Sequence, residues 1–131
     1  MPWLGFMAVG FGAAAGAWMR WGLGILLNPV FSPLPFGTLA ANLIGGFIIG
    51  LTMTAADPMG LGPATRLLIT TGFLGGLTTF STFSAETVSL LLRTQYAWAA
   101  GLVAAHVGGS LLTTGLGVLL ARALLGLLMR R

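Results

Sequence analysis

Gly-Phe-Leu-Gly-Gly-Leu-Thr-Thr-Phe-Ser-Thr-Phe-Ser-Ala-Glu, residues 72–86, lies inside an apolar segment, roughly 67–92, that is otherwise long enough to cross a bilayer. A membrane helix has little use for three glycines followed by a block of hydroxyls. Glycine weakens the helix, and hydroxyls offer its backbone competing hydrogen bonds. Non-helical backbone at membrane depth survives only where protein buries it or where it lines a wet cavity. Discontinuous membrane helices hold ions near the midplane in transport proteins, so the stretch predicts a broken helix at an ion site. The alternative is a seam of small residues where helices pack closely.

Outward from this stretch, the composition agrees. The 131 residues are 56% hydrophobic and 6% charged, with a mean hydropathy of +0.98; soluble domains carry about 25% charged residues. Six scattered arginines give a net charge of +4 but form no basic stripe, which argues against nucleic-acid binding. With no cysteine, thiolate chemistry and disulfides are excluded. Met-Pro-Trp-Leu-Gly at the N-terminus has no basic n-region, so no cleaved signal peptide is expected. One histidine and two carboxylates, Asp57 and Glu86, leave little for an intramembrane hydrolase.

The chain reads as a single integral membrane domain over 1–131, all-α, with four transmembrane helices at about 3–27, 38–56, 67–92 and 97–125, the third broken mid-membrane. Asn28-Pro29, the prolines at 33 and 35, and Asp57-Pro58 mark the turns. Pairs of small residues four apart predict close helix packing: Gly12 and Gly16, Gly46 and Gly50, and Gly101, Ala105 and Gly109. Four spans put both termini on one side with Arg66, Arg122, Arg130 and Arg131, against Arg20 and Arg93 on the other. That bias is weak for a topology signal, so insertion in either orientation is expected. With no internal repeat, inverted symmetry requires a second copy of the chain, which makes a homodimer the economical expectation.

The polar residues within the spans are the candidate site. Asn42 must find partners in hydrocarbon, either as glue between helices or as an ion contact. His106, Ser110 and Thr114 recur at i, i+4 and i+8 and share one helix face, the pattern of a wet track. Phe80 and Phe83 are three apart, and their electropositive ring edges, set beside hydroxyl donors, suit a small anion. Glu86 would cost about 2.5–3.5 kcal/mol near the membrane centre, so a watery vestibule or an arginine partner is expected. Arg20 either snorkels to the interface or draws anions into a vestibule.

At this point the residues identify a resemblance. Gly-Thr-Leu-Ala-Ala-Asn-Leu-Ile-Gly-Gly-Phe at 37–47, the 72–86 stretch and Arg20 late in the first span resemble the CrcB/Fluc fluoride channels over essentially the whole chain. The resemblance implies a dual-topology homodimer of antiparallel four-helix subunits, with two fluoride pathways along the interface, in a bacterial inner membrane. It implies that Phe80 and Phe83 contact fluoride, that Asn42 is the pore amide, and that Ser110 and Thr114 lie on a polar track. Arg20, Ser81, Thr82, Glu86 and His106 are candidates for the vestibule or the track. It further implies a structural sodium ion at the dimer centre, held by the backbone carbonyls of Gly75 and Thr78. Fluoride itself comes only from the resemblance; the residues alone reach a small-anion or cation pathway in an inverted dimer. A small dual-topology multidrug exporter is the competing reading, but it needs a membrane carboxylate early in the first span, where this chain has none. A structural membrane subunit without transport is the third.

Overall fold

The computed structural model describes residues 2–128, and every regular element among them is helical. Arg130 and Arg131, counted above for orientation, lie outside the described residues. Helix α1 (Pro2–Leu27) ends at Asn28-Pro29, where a 3-10 turn, Asn28–Val30, takes over because proline cannot continue the ladder. Helix α2 is Phe36–Ala55. Helix α3 covers residues 63–77 and is irregular: an α-helical start at Pro63–Leu67, a π-helical stretch at Leu68–Leu74 and a last turn at Gly75–Leu77. Thr78 and Thr79 are extended, with ψ of 154° and 113°. Helix α4 then runs Phe80–Leu92, and a tight turn leads into α5, Tyr96–Leu128.

The break therefore falls at the middle of a 30-residue apolar span, Pro63–Leu92. Among the described residues, that span, α2 and α5 are the three helices long and apolar enough to cross a membrane. The expected first span, α1, has the length at 26 residues. It is less apolar than those three because Trp3, Trp18, Trp21 and Arg20 dilute its aliphatic content.

Two glycine seams hold the helices together. A Cβ on Gly12 or Gly16 of α1 would press on the backbone of Leu68 or Phe73, and one on Gly72 or Gly76 would press on the backbone of Val9 or Ala13. Both seam and break are thus present in one stretch. Gly72 and Gly76 make close approach to α1 possible, and the hydroxyl pair Thr78-Thr79 makes the break. The second seam joins α2 to α5 through Gly50 against the backbone of Thr114 and Gly117 against that of Phe47. Of the small residues expected on α5, Gly109 meets the Leu43 side chain while Gly101 faces open space.

Buried apolar clusters are small: Ala41, Leu74 and Leu77 in one, Phe83, Leu90, Ala99 and Leu102 in the other. Large apolar side chains instead point outward in number, including Trp3, Phe11, Leu111 and Leu119. A surface as apolar as the core suits lipid as solvent. In the α2–α3 turn, Arg66 Nη2 pairs with Asp57 Oδ1 at 2.6 Å and donates to Ala56 O, while its Nε donates to Leu61 O at 2.8 Å. Asp57 is thereby spent in a loop ion pair.

Candidate functional site

Breaking a helix releases backbone groups that its ladder would have paired. At Thr79 they are met by one side chain. Thr79 N–H donates to Asn42 Oδ1 at 2.8 Å, and Asn42 Nδ2 donates to Thr79 O at 3.1 Å. The amide of Asn42, on α2, thus takes the place of a backbone neighbour. Thr79 also caps α4: its Oγ1 accepts from Thr82 N–H at 3.1 Å and donates to Thr82 Oγ1 at 2.9 Å, with Ser81 Oγ 3.3 Å away. A hydroxyl just before a resumed apolar run is the sequence signal for such a cap.

From Asn42 the contacts continue outward. Its Nδ2 also lies 3.1 Å from His106 Nδ1, and the imidazole stacks on Phe83 with ring centroids 4.5 Å apart and planes at 26°. Phe83 in turn meets Phe80 edge to face at 5.5 Å and 67°. His106 and Phe83 are buried, at 4% and 8% exposure, whereas Phe80 is 78% exposed. An exposed and a buried ring, one turn apart, form a step from the open face into the chain.

These groups share one mainly apolar groove of about 580 Å³, walled by α2, the two half-helices and α5. Asn42, Gly75, Thr78, Phe80, Phe83, His106 and Ser110 all line it. Thr114 lies beyond its lining, half-buried against Gly46 of α2. Arg20 lies in a second cavity with Asn28, Thr38, Thr79 and Thr82. Thr79 borders both cavities, so the break is their common wall. Glu86 and Arg93 line a third, toward the proline loop. Glu86 Oε1 accepts from Thr38 Oγ1 at 2.6 Å, while its Oε2 is buried without a partner among the described residues. Sequence reasoning missed Thr38 and Thr79: their partners lie 48 and 37 residues away, and no local pattern announces such pairs.

Gly75 and Thr78, the two residues expected to offer carbonyls to a cation, both lie at the break. Gly75 is exposed, with nothing near enough to crowd a Cβ, and Thr78 is the extended residue at the break. Carbonyls there are neutral oxygens, suited to a singly charged hard ion. Among the described residues, no group of three or more His, Asp or Glu gathers to hold a divalent metal.

Residues 7–118 match the family described as CrcB-like protein, Camphor Resistance (CrcB). The chain is 59% identical over 116 residues to the fluoride-specific ion channel FluC of Cupriavidus taiwanensis, covering 88% of this chain and 92% of that protein. It is 56% identical over 113 residues to that of Aromatoleum aromaticum, covering 86% of each. With that of Pseudomonas aeruginosa it shares 54% over 125 residues, covering 95% and 98%.

The pairing of Asn42 with Thr79 generates a direct expectation. Asn42→Leu keeps the bulk but leaves the Thr79 N–H and C=O without partners, at about 1–3 kcal/mol each. Hydrogen exchange at the Thr79 amide should speed up while amides in α5 stay protected. Unchanged exchange at Thr79 would show that Asn42 does not hold the break.

Proposed function

The chain belongs to the CrcB-like family, and from that membership we propose that it is a fluoride-selective ion channel that lets the anion leave the cell passively and electrogenically. It is not an enzyme: the relatives are named as ion channels. The observation that carries the reading is the groove itself. It gathers two aromatic rings, a buried imidazole and a serine hydroxyl beside a helix break, with no cationic side chain in its lining. Ring edges and neutral donors attract a small anion without trapping it.

The groove is open on one side, and we take its missing wall to be a second, inverted copy of the chain in the bacterial inner membrane. Supporting this are the apolar outward faces and the weak charge bias of the turns. In this assembly α1 also crosses the bilayer, its three tryptophans reaching the interfaces. Each of two interface pathways would pass Phe80, Phe83 and Ser110, with Thr114 further along the α5 face. Arg20, Ser81 and Thr82 would serve the vestibule on the far side of Thr79, and Glu86 the approach from the proline loop. The exporter reading finds no support: α1 carries no carboxylate, and Asp57 is ion-paired in a turn.

In liposomes holding only this protein, fluoride efflux should require a potassium ionophore to dissipate the voltage, and chloride should barely move. Phe80→Ile and Phe83→Ile keep apolar bulk without the ring quadrupole and should suppress efflux at least tenfold in protein that still assembles, which corresponds to about 1.4 kcal/mol on the barrier. Efflux that needs a proton gradient, or chloride flux equal to fluoride flux, would end the channel reading. Wild-type rates in both variants would reduce the rings to packing.

Gly75 and Thr78 would hold sodium at the two-fold axis, each chain giving two backbone carbonyls. Sodium there would supply structural charge that neutralises the carbonyl ends of the first half-helices. Because each chain provides half the ligands, binding is linked to assembly. Replacing sodium by a bulky organic cation should weaken the dimer in a monomer–dimer equilibrium measurement. Dimer stability that stays undiminished once sodium is gone would exclude the site.

A further inference from the structure

Asn42 has two N–H donors and one carbonyl oxygen. The Thr79 backbone fixes which way the amide points, since a flipped amide would set its oxygen against Thr79 O and its nitrogen against Thr79 N–H. The nitrogen facing His106 is therefore Nδ2, a donor, and His106 Nδ1 must accept. An imidazole that accepts at Nδ1 carries its proton at Nε2. His106 is 4% exposed, lines the groove, and its Nε2 is buried with no hydrogen-bond partner among the described residues. Both Asn42 donors are occupied, by Thr79 O and by His106; the unspent buried donor of the groove-lining His106 is Nε2–H. A buried N–H without an acceptor is costly, and of the hydroxyls in the groove's lining those of Thr70 and Thr78 are already bonded to carbonyls of their own helix.

We propose that Asn42 is a positioning residue and not an anion ligand: it locks His106 in the Nε2–H tautomer, and that N–H is the donor offered to the anion. The assignment rests on the reading of the groove as an anion path. It divides the polar residues into two sets. Asn42 and Thr79 hold each other, and His106 Nε2–H, with Ser110 one turn along α5, faces the anion. Stacking on Phe83 keeps the ring from turning, so the donor is aimed before the anion arrives. A neutral donor also binds weakly enough to release. Glu86 on α4 carries the other buried side-chain atom without a partner among the described residues, the acceptor Oε2, and is the competitor for this N–H.

His106 is the chain's one histidine, so 15N-histidine labelling gives a single imidazole spectrum. In reconstituted protein at about pH 8, above the ordinary histidine range of about 6.5, the nitrogens should read as protonated Nε2 and bare Nδ1. Fluoride should shift the Nε2–H resonance, and chloride at the same concentration should not. Asn42→Ala should release the tautomer to a mixture. His106→Phe should lower fluoride efflux about tenfold or more, the worth of one hydrogen bond to a charged group. His106→Gln, which can accept from Asn42 and donate onward, should restore most of it. A protonated Nδ1, or an Nε2–H resonance indifferent to fluoride because Glu86 holds it, overturns the assignment while selective efflux would leave the channel reading intact. The wild-type spectrum decides even if a variant fails to fold. Absence of fluoride efflux from wild-type protein would instead remove the reading on which the assignment rests.

Discussion

The two hydrogen bonds between the Asn42 amide and the Thr79 backbone are the constraint on which this architecture depends. In hydrocarbon an unpaired backbone group costs several kcal/mol, so a helix interrupted at mid-span needs partners from elsewhere. Asn42 provides two of them from a helix that is itself pinned to α5 by Gly50 and Gly117. The pinned helix holds the amide, the amide holds the break, and the break aims Phe80 and Phe83 away from the helix line that α3 would have continued. Several other span hydroxyls, at Thr52, Thr54, Thr70, Thr78 and Thr87, donate to carbonyls of their own helices, so the groove can offer donors sparingly and in fixed directions.

The same economy explains the uneven surface. Gly12, Gly16, Gly72 and Gly76 let α1 and α3 touch backbone to backbone, which stiffens the half-helix leading into the break. The opposite side of that half-helix, at Gly75, is open. Rigid on one flank and bare on the other, the break is presented to whatever closes the groove. An apolar exterior that includes most of α5 fits a chain surrounded by lipid, and it leaves room for the second copy that the proposed assembly requires.

Much of this was legible in the sequence, for identifiable reasons. Length and hydropathy locate α2, α3–α4 and α5 because the bilayer sets a minimum apolar length. The hydroxyl block marks the break because Thr and Ser compete with the helix ladder. The role of the glycines was only half legible: a glycine that weakens a helix and one that lets helices touch look the same in sequence, and Gly72 and Gly76 prove to be the second kind. The pairing of Asn42 with Thr79, and of Thr38 with Glu86, was not legible, since each depends on which helix faces lie together after packing. The i, i+4, i+8 spacing put His106 on a face with Ser110 and Thr114, yet the groove takes in the first two and stops short of Thr114. Helix spacing gives the face; the neighbouring helix α2 decides how far along it the cavity extends.

Under the proposed function, the groove beside the Asn42-held break becomes an anion path when an inverted copy covers it. A density map of the protein in a lipid nanodisc, at a resolution that traces both chains, tests this most directly. It should show two chains of opposite orientation with their grooves facing each other, the break at Thr78 and Thr79, and the Asn42 amide on the Thr79 backbone. Parallel chains, grooves turned to lipid, or an unbroken helix through residues 63–92 would contradict it.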